Sequence, residues 1–441
     1  MKKSGFTLIE LLAVIAILAI ILVISIPKIL DVIETSKINT LKNTVKLIAD
    51  SAEKKYTENE AFGKEEEITC DSVSKLNKED YNKCTIIFDE NGIAKVSILG
   101  RGKFKGLKVI EATKTSAEVI KLEAPKYGIT AVEYINGLYE YYGDSYNLKI
   151  DNTKDQNVRY YGSNPNNYVS FNNELWRIIG VFGNNVKLIR SEKLGTLSWD
   201  SSESSVNGGD GINQWGESTY EDGTSYPGSD LMQYLNKMYY GGDTTITCYG
   251  SANNTTTTCP KDSKGNFLTI DETSKKLIDN HTWNTGAIKI SESTDTLLFY
   301  NAERGMVSGK SSCSDGDNCN DTVERTTTWT GYIALPYVTD YAYASNESIC
   351  EINMLAQDSS NTYICRSNNW IYSKYNVWYL APYAAFGFAN SSFFIHANGK
   401  LLNRIVSADY NVFPSIYLKS KVKIESGNGT SSNPYILKLG N

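Results

Sequence analysis

The chain has 441 residues. This length is too great for one small domain and predicts two or three domains. Its formal charge is −6, and this acidic balance argues against a nucleic-acid-binding protein, which normally presents a basic stripe. The sequence contains no phosphate-binding glycine loop, HExxH zinc helix or GxSxG nucleophile elbow, which argues against the enzyme classes that these motifs mark.

The first residues combine a short basic leader with a long apolar segment. Lys2 and Lys3 precede Gly5, and residues 6–26 are apolar except for a few side chains. A helix of 21 residues is long enough to cross the hydrocarbon layer, which is about 30 Å thick. One carboxylate, Glu10, lies near the start of this segment. Carboxylates within membrane segments are costly, so Glu10 indicates a function.

This start resembles the N-terminal signal of type IV prepilins and of type II secretion pseudopilins. The matching residues are 5–12 (GFTLIELL), followed by Pro27. The resemblance implies that a prepilin peptidase cleaves between Gly5 and Phe6 and that Phe6 is then methylated. It also implies that Glu10 of one subunit neutralises the new terminal amine of a neighbour as the helices stack into a filament.

Two other interpretations of the same segment are a secretory signal peptide and a plain membrane anchor. A secretory signal peptide carries its cleavage site after the apolar segment, and residues 25–28 (SIPK) form a poor site. A plain membrane anchor fits the length of the segment but gives Glu10 no role. Both therefore explain less of the sequence than the prepilin signal does.

The helix is predicted to continue to about Tyr56. Apolar residues recur at steps of three and four along one face: Ile38, Leu41, Val45, Ile48 and Ala52. Pro27 is expected to kink this helix without ending it. Strands are predicted at 84–88, 94–99 and 107–112, with a hairpin turn at 89–92 (DENG) between the first two. These elements predict a helix that packs on a three-stranded antiparallel sheet.

The second half of the chain differs in composition. All seven tryptophans lie between Trp176 and Trp378. A short helix is expected at 131–142, and two more are expected at 231–239 and 273–280. Strands are predicted at 168–171, 175–182, 186–190, 412–419 and 435–439, separated by polar stretches. The predicted fold class is α+β: a long N-terminal pilin helix with a small antiparallel sheet, followed by a larger, loop-rich α+β ectodomain.

The predicted domains follow from these patterns. They are a leader peptide at 1–5, a transmembrane and filament-core helix at 6–26, a pilin-like stem and head at 27–114, a connector at 115–157 and a distal ectodomain at 158–441.

Three stretches of the distal ectodomain resemble an uncharacterised ectodomain of bacterial surface proteins. They are 171–180 (FNNELWRIIG), 340–344 (DYAYA) and 417–420 (YLKS). The domain also looks like the C-type-lectin-like fold of formylglycine-generating-enzyme relatives. This resemblance implies variable loops on a fixed scaffold, and it carries no catalytic site.

The cysteines are expected to form disulfides. All eight fall into four close couples: Cys70 with Cys84, Cys248 with Cys259, Cys313 with Cys319, and Cys350 with Cys365. An even number in an exported chain favours disulfides over free thiols or zinc, and pairing within each couple is preferred although spacing does not fix it.

No metal or cofactor is expected. The acidic loop at 314–321 offers Asp315, Asp317 and Asp321 as candidate calcium ligands, but it departs from the EF-hand pattern, so a solvated, disulfide-closed turn is favoured. His281 and His396 are interpreted as packed or capping residues, and no catalytic residue is assigned.

The predicted function is that of a structural, pilin-like subunit, a minor or tip pilin that displays its large domain for adhesion or binding. The alternative is a pseudopilin of a type II secretion or DNA-uptake (competence) machine, and a third possibility is an enzyme carried on a pilin stem. The expected partners are the prepilin peptidase, other pilin subunits, the membrane and an extracellular glycan or protein, with no nucleic acid. The expected location is the cell membrane in a single pass, with a short cytoplasmic N-terminus, and then an extracellular filament.

Overall fold

The structure is a computed structural model of the chain. It describes residues 8–74, 76–201, 213–219, 223, 225–250, 255–287, 296–305, 326–346, 350, 359–383 and 390–440. The chain forms two compact units. The first contains the residues up to 124 together with 140–143, and the second contains 125–139 and 144–441. The predicted connector at 115–157 therefore contributes residues to both units.

The first unit is built on one long helix, α1 (Leu8–Phe62), which has 55 residues. At 1.5 Å per residue this helix is about 80 Å long. It continues beyond Tyr56, where the sequence analysis placed its end. Pro27 lies inside the helix, which is unbroken at this position.

A short helix and a small sheet complete the first unit. They are α2 (Cys70–Val73), β1 (Tyr81–Phe88), β2 (Ala94–Gly100), β3 (Leu107–Ala112) and β4 (Val119–Lys121). The strands pair antiparallel in the order β1-β2-β3-β4. The prediction of three strands was wrong by one, because the three residues of β4 are too few to show an alternating pattern.

The predicted hairpin turn joins β1 to β2. The Gly92 N–H donates to the Asp89 carbonyl at 3.0 Å, and Gly92 has a φ of +72°, a conformation that glycine adopts without strain. The Asp89 carboxylate also accepts from the N–H groups of Asn91 and Ile93. These local bonds explain why the turn could be predicted from four residues.

The core of the first unit lies between the second half of α1 and the sheet. On α1, Leu41, Val45, Ile48 and Ala52 of the predicted apolar face are buried together with Ala49, and Ile38 is half-buried. They pack with buried side chains of the sheet and the loops beside it: Ala94, Val96, Ile98, Phe104, Leu107, Val109, Ala112 and Ala117. This burial is what holds the helix against the sheet.

Six α-helices of the second unit have their bounds among the described residues. They are α3 (Ala131–Tyr142), α4 (Asp230–Gln233), α5 (Glu272–Lys275), α6 (Thr296–Glu303), α7 (Val338–Tyr343) and α8 (Ser359–Ser367). The last residues of α3 are grouped with the first unit.

The described strands of the second unit are β5 (Leu148–Ile150), β6 (Val158–Tyr160), β7 (Tyr168–Phe171), β8 (Glu174–Phe182), β9 (Asn185–Arg190), β10 (Gly195–Ser198), β11 (Ser218–Thr219), β12 (Ser225–Tyr226), β13 (Cys248–Tyr249), β14 (Thr256–Thr257), β15 (His281–Asn284), β16 (Thr328–Gly331), β17 (Ile333–Ala334), β18 (Val377–Pro382), β19 (Ser391–Ile395), β20 (Leu401–Ile405), β21 (Asp409–Val412), β22 (Ser415–Tyr417), β23 (Val422–Ser426) and β24 (Tyr435–Leu439).

Two sheets organise the second unit. The larger sheet has nine strands. Seven of them follow the order β17-β22-β9-β8-β7-β24-β23, and β6 pairs with both β5 and β8. Its pairs are antiparallel except for β24 and β7. The smaller has the order β10-β21-β18-β19-β20 and is parallel only between β18 and β21. The predicted α+β class is therefore confirmed.

Three local predictions for the second unit were wrong. The strand predicted at 412–419 is split between the two sheets, because Pro414 lacks the N–H that a continuous ladder needs. The helix predicted at 231–239 is α4 followed by a π-helical segment (Tyr234–Tyr240). The helix predicted at 273–280 is only α5, which Asp271 caps at its N-terminus.

Candidate functional site

The N-terminal half of α1 is the first candidate site. Its large apolar side chains are exposed, whereas Leu41, Val45 and Ile48 of the second half are buried against the sheet. The exposed ones include Leu8, Ile9, Leu11, Leu12, Val14, Ile15, Ile17, Leu18, Ile20, Ile21, Leu22, Val23, Ile26, Ile29 and Leu30. Glu10 and Pro27 lie in this helical stretch.

An apolar surface of this size needs lipid or other apolar helices around it. The most apolar 18 residues of α1 have a mean hydropathy of 2.8, and the helix is long enough to cross a membrane. One helix therefore has two environments: a protein core along its second half and a surface suited to a membrane or a helical bundle along its first half.

Disulfides close three loops in the described part of the chain. They join Cys70 to Cys84, Cys248 to Cys259 and Cys350 to Cys365, with Cα separations of 6.1, 5.2 and 5.6 Å. The predicted pairing within these three couples is confirmed. Each closes a loop of 11 to 15 residues, for which the chain-entropy model gives about 2–3 kcal/mol of stabilisation.

The fourth predicted disulfide differs from these three. Cys313 and Cys319 both lie outside the described residues. The pairing of Cys313 with Cys319 therefore stays a prediction from the sequence.

The candidate calcium ligands Asp315, Asp317 and Asp321 also lie outside the described residues. Within the part that the structure describes, no group of three or more Cys, His, Asp and Glu side chains is placed to hold a metal ion.

The two histidines occupy different surroundings. His281, in β15, stacks on Tyr417 with 3.7 Å between ring centroids, and its Nδ1 lies 3.1 Å from Asp279 Oδ2. Burial lowers the pKa of His281 and so favours the neutral ring, although Asp279 opposes this shift. His396 lies in the turn between β19 and β20, where its Nδ1 accepts from the Asn398 N–H at 3.2 Å.

A buried charge network, which sequence reasoning missed, lies in the second unit. Arg159 Nε donates to Asp151 Oδ2 at 2.6 Å, and Arg159 NH1 donates to Asp340 Oδ1 at 2.9 Å. Lys187 Nζ donates to Asp340 Oδ2 at 2.6 Å. The side chains of these four residues are at most 2% exposed. The network joins β6 and β9 to α7.

Aromatic rings surround the cations of this network. Lys187 Nζ lies 3.7 Å from the centre of the Tyr337 ring, and the Arg159 guanidinium lies between Phe182 and Tyr343 at 4.6 and 4.7 Å. Cation–π contacts of this kind offset part of the cost of taking a charge out of water. Burial lowers the pKa of Lys187 to about 8, and Asp340 opposes this effect.

Glu303, at the end of α6, is a further buried acid beside this network. Its carboxylate accepts from the Thr339 hydroxyl at 2.8 Å and from the Thr339 N–H at 3.2 Å. Burial raises the pKa of Glu303 to about 7, although Arg304, 3.5 Å away, opposes the shift. Because these groups are shielded from solvent, the network is suited to holding segments together rather than to reacting with a substrate.

In the comparison with protein-family models, residues 1–26 match the prokaryotic N-terminal methylation motif. The chain carries a prepilin-type methylation motif. Neither the comparison with curated proteins nor that with solved structures gives a significant match.

The prepilin-type motif coincides with the exposed half of α1. It supports a pilin-like or pseudopilin subunit, and it implies processing by a prepilin peptidase and assembly with other pilins. Gly5 and Phe6, between which cleavage is predicted, lie outside the described residues. The backbone of Glu10 is helical, but its side chain is not described. Their roles therefore remain predictions from the sequence.

Proposed function

We propose that the chain is a minor or tip subunit of a type IV-like filament. The exposed half of α1 inserts among the helices of other subunits, and the second unit is displayed for adhesion or binding. Before assembly the chain crosses the cell membrane once through the exposed half of α1, with its short N-terminus in the cytoplasm and the sheet of the first unit and the whole second unit outside. After assembly it is part of an extracellular filament.

The observation that carries this proposal is the contrast along α1. Leu41 and Val45 are fully buried in the core of the first unit, whereas Leu8 and Ile9 are more than three-quarters exposed. Burying one such side chain is worth about 1.5–3 kcal/mol, so many exposed together favour insertion into an apolar environment. The prepilin-type motif occupies this same segment.

The size of the second unit supports a tip or minor position. It takes up most of the chain, from 144 to 441. Subunits that repeat along a densely packed shaft have limited room for such a domain, whereas a subunit at the end has free space around it.

We further propose that the role is structural and not enzymatic. The buried charge network of the second unit consists of ionisable groups that are bonded to one another and enclosed. Asp340, for example, holds two cations with no exposed surface on its side chain. A reacting acid or base needs access to its substrate.

Immunogold labelling of filaments with antibodies against the second unit tests the position. Label confined to filament ends is the expected result. Label spaced evenly along the shaft would make the chain a major subunit and contradict the tip assignment. A strain without the gene serves as the control for antibody specificity.

The same motif also occurs in pseudopilins of secretion and DNA-uptake machines. A strain that lacks the gene must therefore be tested for adhesion, protein secretion and transformation. Loss of adhesion with normal protein secretion and normal transformation is the result that the proposal expects. Loss of secretion or transformation with normal adhesion would instead assign the chain to one of those machines.

A further inference from the structure

A solvent-accessible cleft of about 420 Å³ lies in the second unit. Its volume falls within the range of about 300–1,000 Å³ that is typical of small-ligand sites. The cleft walls combine aromatic and polar side chains, among them Tyr168, Arg177, Ser191, Trp370 and Tyr375.

Arg177 is one of the charged residues in the cleft wall. Its guanidinium carbon lies 4.3 Å from the centre of the Tyr168 ring and 4.5 Å from that of the Trp370 ring. The residue is 9% exposed. Since aromatic rings cover it, its planar donors are held in a fixed orientation, which suits recognition of a planar, charged acceptor.

The hydrogen bonds of Arg177 go to uncharged acceptors. Its Nε donates to Asn167 Oδ1 at 2.8 Å, and its terminal nitrogens donate to the carbonyls of Pro165 and Trp370 at 3.3 and 3.4 Å. Among the described residues, no carboxylate lies within ion-pair distance of Arg177. A guanidinium has five N–H groups, so these bonds leave donors unused.

The neighbouring cation provides a comparison. Arg190 also lines the cleft, but it is paired with the Glu174 carboxylate. A buried charge without a counter-ion is costly, and burial accordingly lowers the pKa of Arg177 to about 10. The difference between these two arginines suggests that the counter-ion of Arg177 comes from outside the chain.

Other polar, charged and aromatic side chains line the cleft near Arg177. Ser191 Oγ is shielded from solvent and has no hydrogen-bond partner among the described residues. Lys374 is exposed and forms no ion pair with the described residues, and Tyr375 is 47% exposed with Lys193 over its ring at 4.6 Å. Glu192, the acidic residue of the cleft wall, is exposed and makes no ion pair with Arg177.

We propose that this cleft binds a carboxylated sugar, such as a uronic or sialic acid residue at the end of a glycan. Its carboxylate pairs with Arg177, with Lys374 adding positive charge. One face of its ring stacks on Tyr375, and its hydroxyl groups bond to serine side chains of the cleft wall. The inference rests on the proposed function, since it names the ligand class that the displayed unit recognises.

The wall chemistry favours a sugar over a peptide carboxylate. A pyranose ring has an apolar C–H face, which fits an exposed aromatic ring, and a rim of hydroxyl groups, which needs polar partners. Ser373 and Ser431, which also line the cleft, supply further hydroxyl groups. A peptide terminus needs backbone donors and acceptors along an extended groove, and the edge strands of the nine-stranded sheet, β17 and β23, are not represented in the cleft wall.

The test is isothermal titration calorimetry on the full, processed chain in detergent. The probes are glucuronate and N-acetylneuraminate. They are compared with glucose and galactose as neutral sugars, with acetate as a bare carboxylate and with a short peptide that has a free carboxyl terminus. Binding of at least one acidic sugar, about tenfold tighter than that of every neutral sugar and of acetate, is the expected result. High salt should weaken the binding, since a charge pair contributes to it.

Variants locate the site. Tyr375→Ala, Lys374→Met and Arg177→Met should each weaken acidic-sugar binding, the last by tenfold or more. Tyr363→Ala, which removes a tyrosine that is 61% exposed and does not line the cleft, should leave it unchanged. If Arg177→Met does not fold, the two exposed variants still test the cleft.

Several outcomes would overturn the proposal. They are no binding of either acidic sugar, equal binding of acidic and neutral sugars, equal binding of acetate, and tighter binding of a peptide with a free carboxyl terminus. Because this assay needs no filament, its failure would leave the filament proposal untouched, and a failure of filament incorporation would leave this result standing.

Discussion

Lys187 Nζ lies 2.6 Å from Asp340 Oδ2, and neither side chain is exposed to solvent. The other oxygen of Asp340 accepts from Arg159 at 2.9 Å. One carboxylate therefore balances two buried cations that come from different strands, β6 and β9. Removing it would leave both cations without their shared partner.

Asp340→Asn should destabilise the second unit by about 3–5 kcal/mol, because breaking a buried ion pair leaves uncompensated charge in the core. Urea unfolding followed by tryptophan fluorescence measures this, since all seven tryptophans lie in the second unit. The control is Glu425→Gln, which breaks an exposed pair with Lys438 and should cost about 0–1 kcal/mol. Equal effects of the two variants would contradict the assignment.

Glu303 should make the stability of the second unit depend on pH. Its pKa is about 7 in the folded chain, against an ordinary value of 4.5. Between these values the folded state keeps a proton that the unfolded state has lost, so the free energy of unfolding falls as pH rises from about 4.5 to 7. The contribution is on the order of 3 kcal/mol and is constant above pH 7.

Glu303→Gln cannot titrate, and its amide can still bond to the Thr339 hydroxyl. The stability of this variant relative to the natural chain should therefore rise through the same pH window and then level off. Urea unfolding at pH values below, within and above the window measures the difference. A difference that is independent of pH would show that Glu303 does not titrate in this range.

Two leucines of α1 form a matched pair for testing the core of the first unit. Leu41 is fully buried and Leu47 is 67% exposed. Leu41→Ala should cost about 2–5 kcal/mol, the usual range for a cavity in a packed core. Leu47→Ala should change stability by no more than about 0.5 kcal/mol. Hydrogen exchange of β2 and β3 amides reports the effect on this unit, and equal loss of protection in both variants would contradict the packing.

Glu10→Ala should separate processing from assembly. Leader cleavage is expected to remain largely intact, because Gly5 is unchanged. Incorporation into filaments should fall, because the neighbouring subunit's terminal amine loses its partner. Glu58→Ala removes an exposed carboxylate from the same helix and serves as the control. Normal filament yield from Glu10→Ala would contradict the proposed charge pair.

Structural elements that depend on residues close together in the sequence could be predicted. The apolar face of α1 recurs along one helix, and the turn at Asp89 and Gly92 is built from its own side chains and backbone. Strand β7 (Tyr168–Phe171) was predicted with its observed ends. The end of α1 and the short strand β4 were not, because their sequences carry no strong signal.

The sites in the second unit could not be predicted, because they depend on residues that are distant in sequence. Arg159 and Asp340 are 181 positions apart, and Arg177 and Trp370 are 193 positions apart. No local pattern relates such residues. The stretches at 171–180 and 340–344, which resemble a bacterial surface ectodomain, contain Arg177 and Asp340. The residues that contact these two side chains are known only from the folded structure.

The most direct test of the pilin-like assignment is the intact mass of the chain recovered from purified filaments. The account predicts a chain without residues 1–5, with one added methyl group on Phe6 and with its cysteines, including Cys313 and Cys319, oxidised in pairs. A chain that keeps Met1 and is absent from the filament fraction would contradict it.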